Sequence, residues 1–516
     1  MSRRRASRLS TVGKATVILA VFFAVDKVLA FVRQVLIART FGLSPELDAF
    51  NAANNLPDLL YALISGGALA MAFIPVLSEV LTQEGRPAMW RLFSQVANLA
   101  FAVTAGLSVL IALFAAPLVR WELGIAPGFD PAGQALTIRL LRLNLIGTLI
   151  FSLSGLVSAG LYANQHFWLP ALAPVMYNLG QIFGIAVLAP TEGLRLGPVA
   201  LPGLGLGIYG LLYGVIVGAL LHLGVQAPGL VRHGFRWWPE LTWRAPRVGQ
   251  VLRLMGPRVL TMLFIQLIFL ARDNLASRLG VGAVTALAYG WFIMQVPETL
   301  LGTTLGLALL PTLSEYSARR DWSGYTGALN RGVRAVVAMT VPVAVVLGVV
   351  LPHLLGVLGL NFQDTQLVVA TTRAYLAGMT GHALLELAAR GFYARQDART
   401  PLLASAWNTA AYLALAILFG RSLGAAGIAL ANALAFTSEA ALLLYLTARR
   451  YPRVVRLDGT WWRTALSALG GGGGAWLVLY GLGGGLVAGV LATAVGGLLA
   501  LPWLVPEIRG LFTAAS

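Results

Sequence analysis

The sequence predicts an all-α polytopic membrane protein with about 14 transmembrane helices, arranged as two parallel six-helix repeats plus two C-terminal helices. Two observations carry this prediction: the chain is very apolar, and several short motifs recur about 235 residues apart. Of its 516 residues, 58% are hydrophobic and 11% are charged, and the mean hydropathy is +0.78. Soluble domains carry about 25% charged residues. A water-soluble globule is therefore excluded.

Apolar stretches long enough to cross a bilayer, about 20 residues each, follow one another along the whole chain. Only helices and closed barrels satisfy every backbone polar group in lipid, and these stretches are too long and continuous for barrel strands. The predicted spans, numbered 1 to 14, are 15–42, 47–80, 90–118, 136–162, 170–189, 203–230, 250–278, 283–313, 329–352, 366–393, 401–420, 424–447, 464–483 and 486–508.

An internal duplication organises spans 1 to 12. Gly160–Gln165 reads GLYANQ and precedes Pro170, and Gly391–Gln396 reads GFYARQ and precedes Pro401, at an offset of 391 − 160 = 231 residues. Two further pairs agree at similar offsets: Pro75, Ser78 and Glu79 with Pro311, Ser314 and Glu315, and Arg33 and Arg39 with Arg272 and Arg278. Six spans is an even number, so both copies enter the membrane in one direction. Such parallel repeats predict two bundles with a cleft near the midplane.

The repeat and the charges predict the domain organisation. We expect an N-terminal lobe at 1–231, a cytoplasmic linker at 232–249, a C-terminal lobe at 250–448, and a basic loop with appended helices at 449–516. Cations concentrate before span 1 and in the loops after spans 6, 8, 10 and 12, which predicts cytoplasmic termini and a retained first helix. Two of these loops, 232–253 and 449–463, also contain tryptophan. They either lie on the membrane surface or anchor neighbouring helices.

Several functional classes are not supported by the composition. The chain has no cysteine, its five histidines form no His-x-x-x-His pair, and Gly470–Gly474 lacks the Lys-Ser/Thr ending of a phosphate loop. The glycine run is better explained by close helix packing. The net charge of +17 is spread over loops on one side, so we predict no nucleic-acid partner. No catalytic residue, metal or cofactor is predicted.

Ionisable groups inside the spans mark the predicted function, because each costs about 2.5–3.5 kcal/mol at a helix centre and needs a partner or a wet cavity. In span 1 they are Asp26, Lys27 and Arg33; in span 2, Asp48, Asn51, Asn55 and Asp58 on one stripe; in span 7, Arg258, Arg272 and Asp273; and in span 10, His382, Glu386 and Arg390, each four residues apart.

The sequence leaves two readings open for some of these groups. Glu386 and Arg390 either line a cavity or form an ion pair within one helix. Asp48 and Arg39 either face the cavity or extend from the outer helix ends toward water. For Arg33 and Arg272 we expect the cavity. Pro57 in span 2 and Pro297 in span 8 are expected to bend or break their helices and expose carbonyl groups.

Eight short motifs carry a resemblance to a known family: Val28–Arg33, Ala38–Gly42, Asp48–Phe50, Leu56–Leu60, Ala72–Leu77, Ala126–Phe129, Met255–Pro257 and Gly391–Asp397. With these motifs the sequence resembles the lipid II flippase family (MurJ/MviN) of the multidrug/oligosaccharidyl-lipid/polysaccharide exporter superfamily. The resemblance covers spans 1 to 12. It implies 14 helices in two lobes, alternating access, and movement of undecaprenyl-pyrophosphate-linked peptidoglycan precursor from the inner to the outer leaflet.

The resemblance also implies a substrate site, from which this sequence departs. Family members place arginines in spans 1, 2 and 8 to bind the pyrophosphate, but Tyr61 and Phe292 occupy the second and third places, and Gln34 replaces an acidic residue. We expect cations of span 7 to substitute. The predicted substrate-binding residues are Lys27, Arg33, Asp48, Asn55, Arg258, Arg272, Asp273, Glu386 and Arg390.

The prediction is a non-enzymatic flippase of lipid II in the bacterial cytoplasmic membrane, with lipid II and membrane lipids as partners. Three alternatives stay open. They are a flippase for another lipid-linked oligosaccharide, a small-molecule/cation antiporter of the same superfamily, and a non-transporting scaffold that binds cell-wall synthesis proteins. No nucleotide-binding motif is present, which leaves membrane potential or an ion gradient as the driving force.

Overall fold

A computed structural model describes the backbone of residues 2–65, 68–192, 195–196, 199–200, 202–451 and 454–512. Side chains are described for these residues except 2–20, 65, 68–72, 195–196, 199–200, 257–258, 508 and 511–512. The chain divides into two compact units, Met1–Gln266 and Leu267–Ser516. The observed helices carry the numbers of the predicted spans below.

Unit 1 contains spans 1 to 6 and the first part of span 7. An antiparallel pair of two-residue strands, Arg195–Leu196 and Val199–Ala200, lies between spans 5 and 6. The spans are Ser2–Phe41 (1); Pro45–Ala53, Asn55–Leu60, the π-helix Tyr61–Ser65 and Ala68–Gln83 (2); Arg86–Leu113 with Ala115–Arg120 (3); Pro131–Ala163 (4); Trp168–Phe183 with the π-helix Gly184–Leu188 (5); and Ile208–Gly224 with Ala227–Arg232 (6).

Unit 2 contains the rest of span 7 and spans 8 to 14. The spans are Pro246–Ala276 (7, which crosses the boundary); Ala283–Glu298, the π-helix Thr299–Thr303 and Thr304–Ala318 (8); Trp322–Leu354 with the 3-10 helix Leu355–Leu358 (9); Phe362–Ala377 and Met379–Ala394 (10); Arg399–Arg450 (11 and 12); Thr460–Leu482 (13); and Leu486–Phe512 (14).

The all-helical membrane fold is confirmed. Ten of the described helices are long and apolar enough to cross a membrane. The count of 14 stays approximate, since span 2 is divided by a π-helix and span 10 at Gly378, and spans 11 and 12 form one continuous helical run. That run changes direction at Gly424, whose φ of 60° and ψ of −140° are accessible to glycine without strain.

Span 2 and span 8 are both interrupted as their prolines suggested. Pro57 lies four residues before the π-helix Tyr61–Ser65, and Pro297 lies two residues before the π-helix Thr299–Thr303. Proline removes a backbone donor, and π-helical turns are frequent at functional sites. The duplicated chain therefore keeps an irregular helix at the same place in each copy.

The appended spans 13 and 14 pack against span 9, and the glycine run explains how. A Cβ atom on Gly471 would lie 2.9 Å from the carbonyl oxygen of Gly496 and 3.1 Å from Val346. Close helix packing by Gly470–Gly474 is therefore confirmed at this contact. The ion pair between Arg334 of span 9 and the buried Glu507 of span 14, at 2.9 Å, adds a charged attachment.

Candidate functional site

Span 1 and span 5 share a polar network in unit 1. The Asn178 side chain accepts a hydrogen bond from Nη1 of Arg33 at 2.9 Å and donates one to Oδ1 of Asp26 at 2.8 Å. Lys27 is more exposed, with its Nζ 3.4 Å from Oδ2 of Asp26 and 5.0 Å from the centre of the Phe23 ring. The Asn178 amide thus bonds both an acidic and a basic side chain of span 1. Arg33 is half-buried, and its Nε atom has no hydrogen-bond partner.

Residues of span 2 approach the same network through span 5. Tyr177 of span 5 interacts electrostatically with Arg33, Asp58 and Tyr61, so these three side chains all lie near Tyr177. Tyr61 and Tyr177 each meet the Phe151 ring edge-on, at centroid distances of 5.8 and 4.7 Å. The place where the family resemblance implies an arginine is therefore occupied by an aromatic residue that still lies near Arg33.

The other predicted residues of span 2 lie toward its N-terminal end. Asp48 is 1% exposed in the short helix Pro45–Ala53, whose first turn is capped by Ser44, so it does not extend into water. Asn55 donates a hydrogen bond to the carbonyl oxygen of Ala52 at 3.3 Å, across the junction of two helical segments. The Asn55 bond thus links the first two helical segments of span 2, and a role of Asp48 and Asn55 in binding substrate stays a prediction.

Span 7 contributes a tight ion pair in unit 2. Nε of Arg272 lies 2.6 Å from Oδ1 of Asp273, both side chains are largely buried, and the Phe269 ring lies 5.1 Å from the guanidinium. An arginine already neutralised by a neighbouring carboxylate offers a weaker field to an anion than a free one. The third candidate of span 7, Arg258, lies in the described helix, but its side chain lies outside the described residues.

In span 10 the ion pair left open by the sequence is present. Nη1 of Arg390 pairs with Oε2 of Glu386 and also donates to the Glu386 carbonyl oxygen at 2.7 Å. His382, one turn earlier, is buried and hydrogen-bonded through Nε2 to Oδ1 of Asn432 at 3.0 Å. The three residues form one stripe, as their spacing predicts, but each is engaged by a protein partner.

Two intramembrane acids of unit 2 were not among the predicted residues. Glu298 ends the helix that contains Pro297 and is 7% exposed, and Glu439 of span 12 is 3% exposed. Both interact electrostatically with Glu386. The signal was available, because an ionisable residue inside an apolar span marks a functional site by default.

The fold and these charges define a class: multi-pass membrane proteins with the helical architecture of the multidrug and lipid-flipping transporters. A solved structure described as lipid II flippase MurJ in an inward closed conformation matches with a TM-score of 0.77 and 21% identity, covering 96% of this chain and all of that one. An inward-facing multidrug resistance MATE family transporter of the MOP superfamily matches with a TM-score of 0.69 and 14% identity, covering 85% and 98%.

Sequence relatives narrow this class to one family. The family profile described as lipid II flippase MurJ matches residues 37–499. A lipid II flippase MurJ of Burkholderia cenocepacia is 34% identical over 394 residues, or 74% of this chain and 73% of that one. A probable lipid II flippase MurJ of Rhizobium tropici is 30% identical over 438 residues, or 82% and 79%. The chain belongs to the lipid II flippase MurJ family, and the predicted resemblance is confirmed.

Proposed function

We propose that this chain moves lipid II from the inner to the outer leaflet of the bacterial cytoplasmic membrane by alternating access. Family membership supports the proposal, and the observation that carries it is the hydrogen bonding and burial of Arg33. This arginine is half-buried within an apolar span, uses Nη1 on a neutral amide, and keeps Nε unpartnered. A guanidinium fork is well matched to phosphate oxygens.

The physical task is to carry a charged diphosphate through the apolar layer while the polyprenyl chain stays in lipid. Arg33 supplies a directional donor, and Lys27 supplies a point charge beside it. Asp26 offsets part of this positive charge, and Asn178 keeps Asp26 and Arg33 bonded to opposite ends of one amide. No covalent step is required, so the proposal needs no catalytic group.

The remaining predictions about site and topology stay part of this proposal. We propose contributions to headgroup binding from Asp48, Asn55, Arg258, Arg272, Asp273, Glu386 and Arg390. The distribution of basic loops supports cytoplasmic termini. The lobe boundaries at 1–231 and 250–448, the linker at 232–249 and the appended segment 449–516 belong to the same proposal.

A second candidate function is a membrane scaffold of cell-wall assembly that has lost transport. The observation that favours it is the aromatic character of two positions, Tyr61 and Phe292, at which the family resemblance implies arginine. Both side chains are half-buried, and Tyr61 packs edge-on against Phe151. A scaffold requires neither Arg33 nor Lys27 to be charged, which separates the two candidates.

Complementation of a bacterium depleted of its own lipid II flippase tests the proposal. We expect the wild type to restore growth, Arg33→Ala to abolish it, and Arg33→Lys to restore it partly, because lysine keeps the charge without the fork. The matched control is Arg120→Ala, an exposed arginine in the same unit, which should complement fully at equal membrane abundance. Full complementation by Arg33→Ala would contradict the proposed role of this cation, and failure of the wild type would favour the scaffold.

A further inference from the structure

Glu439 and Glu298 both accept hydrogen bonds from neutral side chains, but Glu298 also interacts electrostatically with Arg390, whereas the charged group that interacts with Glu439 is another acid. The side chain lies in span 12 and is 3% exposed. Oγ of Ser405 donates to its Oε1 at 2.9 Å, and Nδ2 of Asn408 donates to its Oε2 at 2.8 Å. Both partners belong to span 11, so the carboxyl group lies between two spans of unit 2 without a cation bonded to it.

The surrounding charges increase the cost of ionising Glu439. The charged side chain that interacts with it is Glu386, a second acid, and Arg390 is already paired with Glu386. An ionised carboxylate inside the membrane needs a cation or neutralisation. The buried or half-buried titratable groups of the helices packed against span 12, and of its own helical run, are Tyr289, Glu298, Asp364, Tyr375, His382, Glu386, Arg390 and Tyr412.

The amide of Asn408 can form a hydrogen bond with Glu439 in either protonation state. It is 2% exposed, and its Oδ1 atom has no hydrogen-bond partner although its Nδ2 atom bonds the carboxylate. An amide side chain can turn over so that its oxygen and its nitrogen exchange places. With the amide turned over, Oδ1 faces Oε2 of Glu439, and two oxygen atoms at hydrogen-bond distance require a proton between them.

We infer that Glu439 is a proton-binding site in which Asn408 turns its amide to match the protonation state, donating to the carboxylate and accepting from the carboxylic acid. Ser405 bonds either form, because a hydroxyl both donates and accepts. As a step, the proton adds to one carboxylate oxygen and later leaves from the same atom, with no other bond changed. Coupling of this proton to lipid II movement rests on the proposed function; the site itself does not.

Infrared spectroscopy of the purified protein in lipid nanodiscs tests the site without substrate. We expect the carbonyl stretch of a protonated carboxyl group at neutral pH, its loss in Glu439→Gln, and a shift of its frequency in Asn408→Leu. The control Glu315→Gln, at an exposed acid paired with Arg319, should leave the band unchanged. Glu439→Gln is isosteric and keeps both hydrogen bonds, so we expect it to fold.

Three results would overturn the inference. The first is a wild type without the band at neutral pH. The second is a band that persists in Glu439→Gln but disappears in Glu298→Gln. The third is a band that disappears when sodium ions are added at constant pH, which would assign the site to a metal cation.

The coupling is measured separately, in proteoliposomes that contain lipid II and an imposed pH gradient. Flipping by the wild type should change several-fold with the gradient, and flipping by Glu439→Gln should not. Gradient-dependent flipping by Glu439→Gln would overturn the coupling. A wild type that flips no lipid II yet shows the infrared band would reject the proposed function while leaving the proton site in place.

Discussion

Unit 1 and unit 2 each hold the loop that follows the last span of their repeat in the same way, although the loop sequences differ. Nδ2 of Asn98, in span 3, donates to the carbonyl oxygens of Trp238 and Glu240 at 2.8 and 3.0 Å. Nδ2 of Asn330, in span 9, donates to the carbonyl oxygens of Val454 and Arg456, both at 3.0 Å. In each unit, one asparagine binds two carbonyls that lie two residues apart. The bonds donated by each asparagine go to backbone carbonyls, so the duplicated loops could diverge in side chains without losing them, although Asn98 also accepts a bond from Nε1 of Trp237 at 2.9 Å.

The charged side chains of the two units have diverged. After the repeated motif, Gln165 and Gln396 both adopt a left-handed conformation, with φ of 57° and 60°. The following residue is His166 in unit 1 and Asp397 in unit 2. Likewise, Pro57 is followed by the exposed Asp58 and Pro297 by the buried Glu298. The comparison teaches that duplication preserved the backbone, while the intramembrane charges diverged: unit 1 has the cations Lys27 and Arg33, and unit 2 has the buried acids Glu298 and Glu439.

The largest effect is expected where both repeats need glycine. A Cβ on Gly160 would lie 3.1 Å from the rings of Trp90 and Phe93, and one on Gly391 would lie 3.0 Å from the Tyr325 hydroxyl. Gly160→Leu and Gly391→Leu should each destabilise the fold by about 1–3 kcal/mol or more, since overpacked cores cannot relax freely. Thermal unfolding in detergent measures this. Gly473→Leu, at a glycine with no atom within 4 Å of its Cβ, is the control, and an equal loss there would contradict the explanation.

The asparagine contacts should give smaller effects. Asn98→Leu and Asn330→Leu each remove two hydrogen bonds to loop carbonyls, and Asn98→Leu also removes the bond from Nε1 of Trp237. A typical bond contributes about 0.5–1.5 kcal/mol, so we expect a loss of stability in each unit that is larger for Asn98→Leu. Hydrogen exchange should also increase in 233–245 for the first variant and in 454–459 for the second. If only one loop responds, the two contacts are not equivalent.

The residues after the repeated motif should respond to acid in different pH ranges. Burial, followed by the charges of His233 and Arg232, lowers the pKa of His166 below its ordinary 6.5. Burial of Asp397 acts to raise its pKa, but bonds from the Thr400 hydroxyl and from the backbone amides of Thr400 and Arg399 outweigh it and hold the pKa below the ordinary 3.8. Each group stabilises the fold when the pH is above its ordinary pKa. That contribution is lost as the pH falls through the lower pKa of the folded state.

The wild type should therefore begin to lose stability as the pH falls below about 6.5, through the His166–His233 contact at 3.2 Å. His166→Asn should flatten the thermal midpoint between pH 7 and pH 5. Asp397→Asn should lower the midpoint at every pH in this range without changing its slope, because Asp397 stays ionised throughout. A wild-type midpoint that does not vary with pH would contradict the assignment to His166.

The smallest effect is expected at the exposed pair of Arg91 and Glu240, 2.8 Å apart. The guanidinium lowers the pKa of Glu240 by hydrogen bonding, but exposed pairs are screened by salt. Arg91→Ala should leave the thermal midpoint nearly unchanged, whereas Arg334→Ala should lower it clearly because the Glu507 partner is buried. As the salt concentration is raised, any effect of Arg91→Ala on the thermal midpoint should disappear before the effect of Arg334→Ala does.

The sequence predicted the helical fold because long apolar stretches permit few alternatives in a membrane. Duplication also identified Gly160 and Gly391, which the structure explains by contacts with Trp90 and Tyr325. The partner of Arg33 was not predictable, because Asn178 is 178 − 33 = 145 residues away and carries no charge. Glu439 shares no helical stripe with another charged residue of span 12, and its partners Ser405 and Asn408 lie on another span, so no spacing along one helix indicates its site.

The central claim is that the cations of unit 1 bind the diphosphate of lipid II. Native mass spectrometry of lipid II binding tests it most directly, using the wild type, Arg33→Ala and Tyr61→Arg/Phe292→Arg. We predict binding by the wild type, loss of most binding in Arg33→Ala, and tighter binding in the double variant, because each charge-assisted contact contributes about 1.5–3 kcal/mol before desolvation. Absence of binding in both the wild type and the double variant would contradict the assignment of lipid II as the substrate.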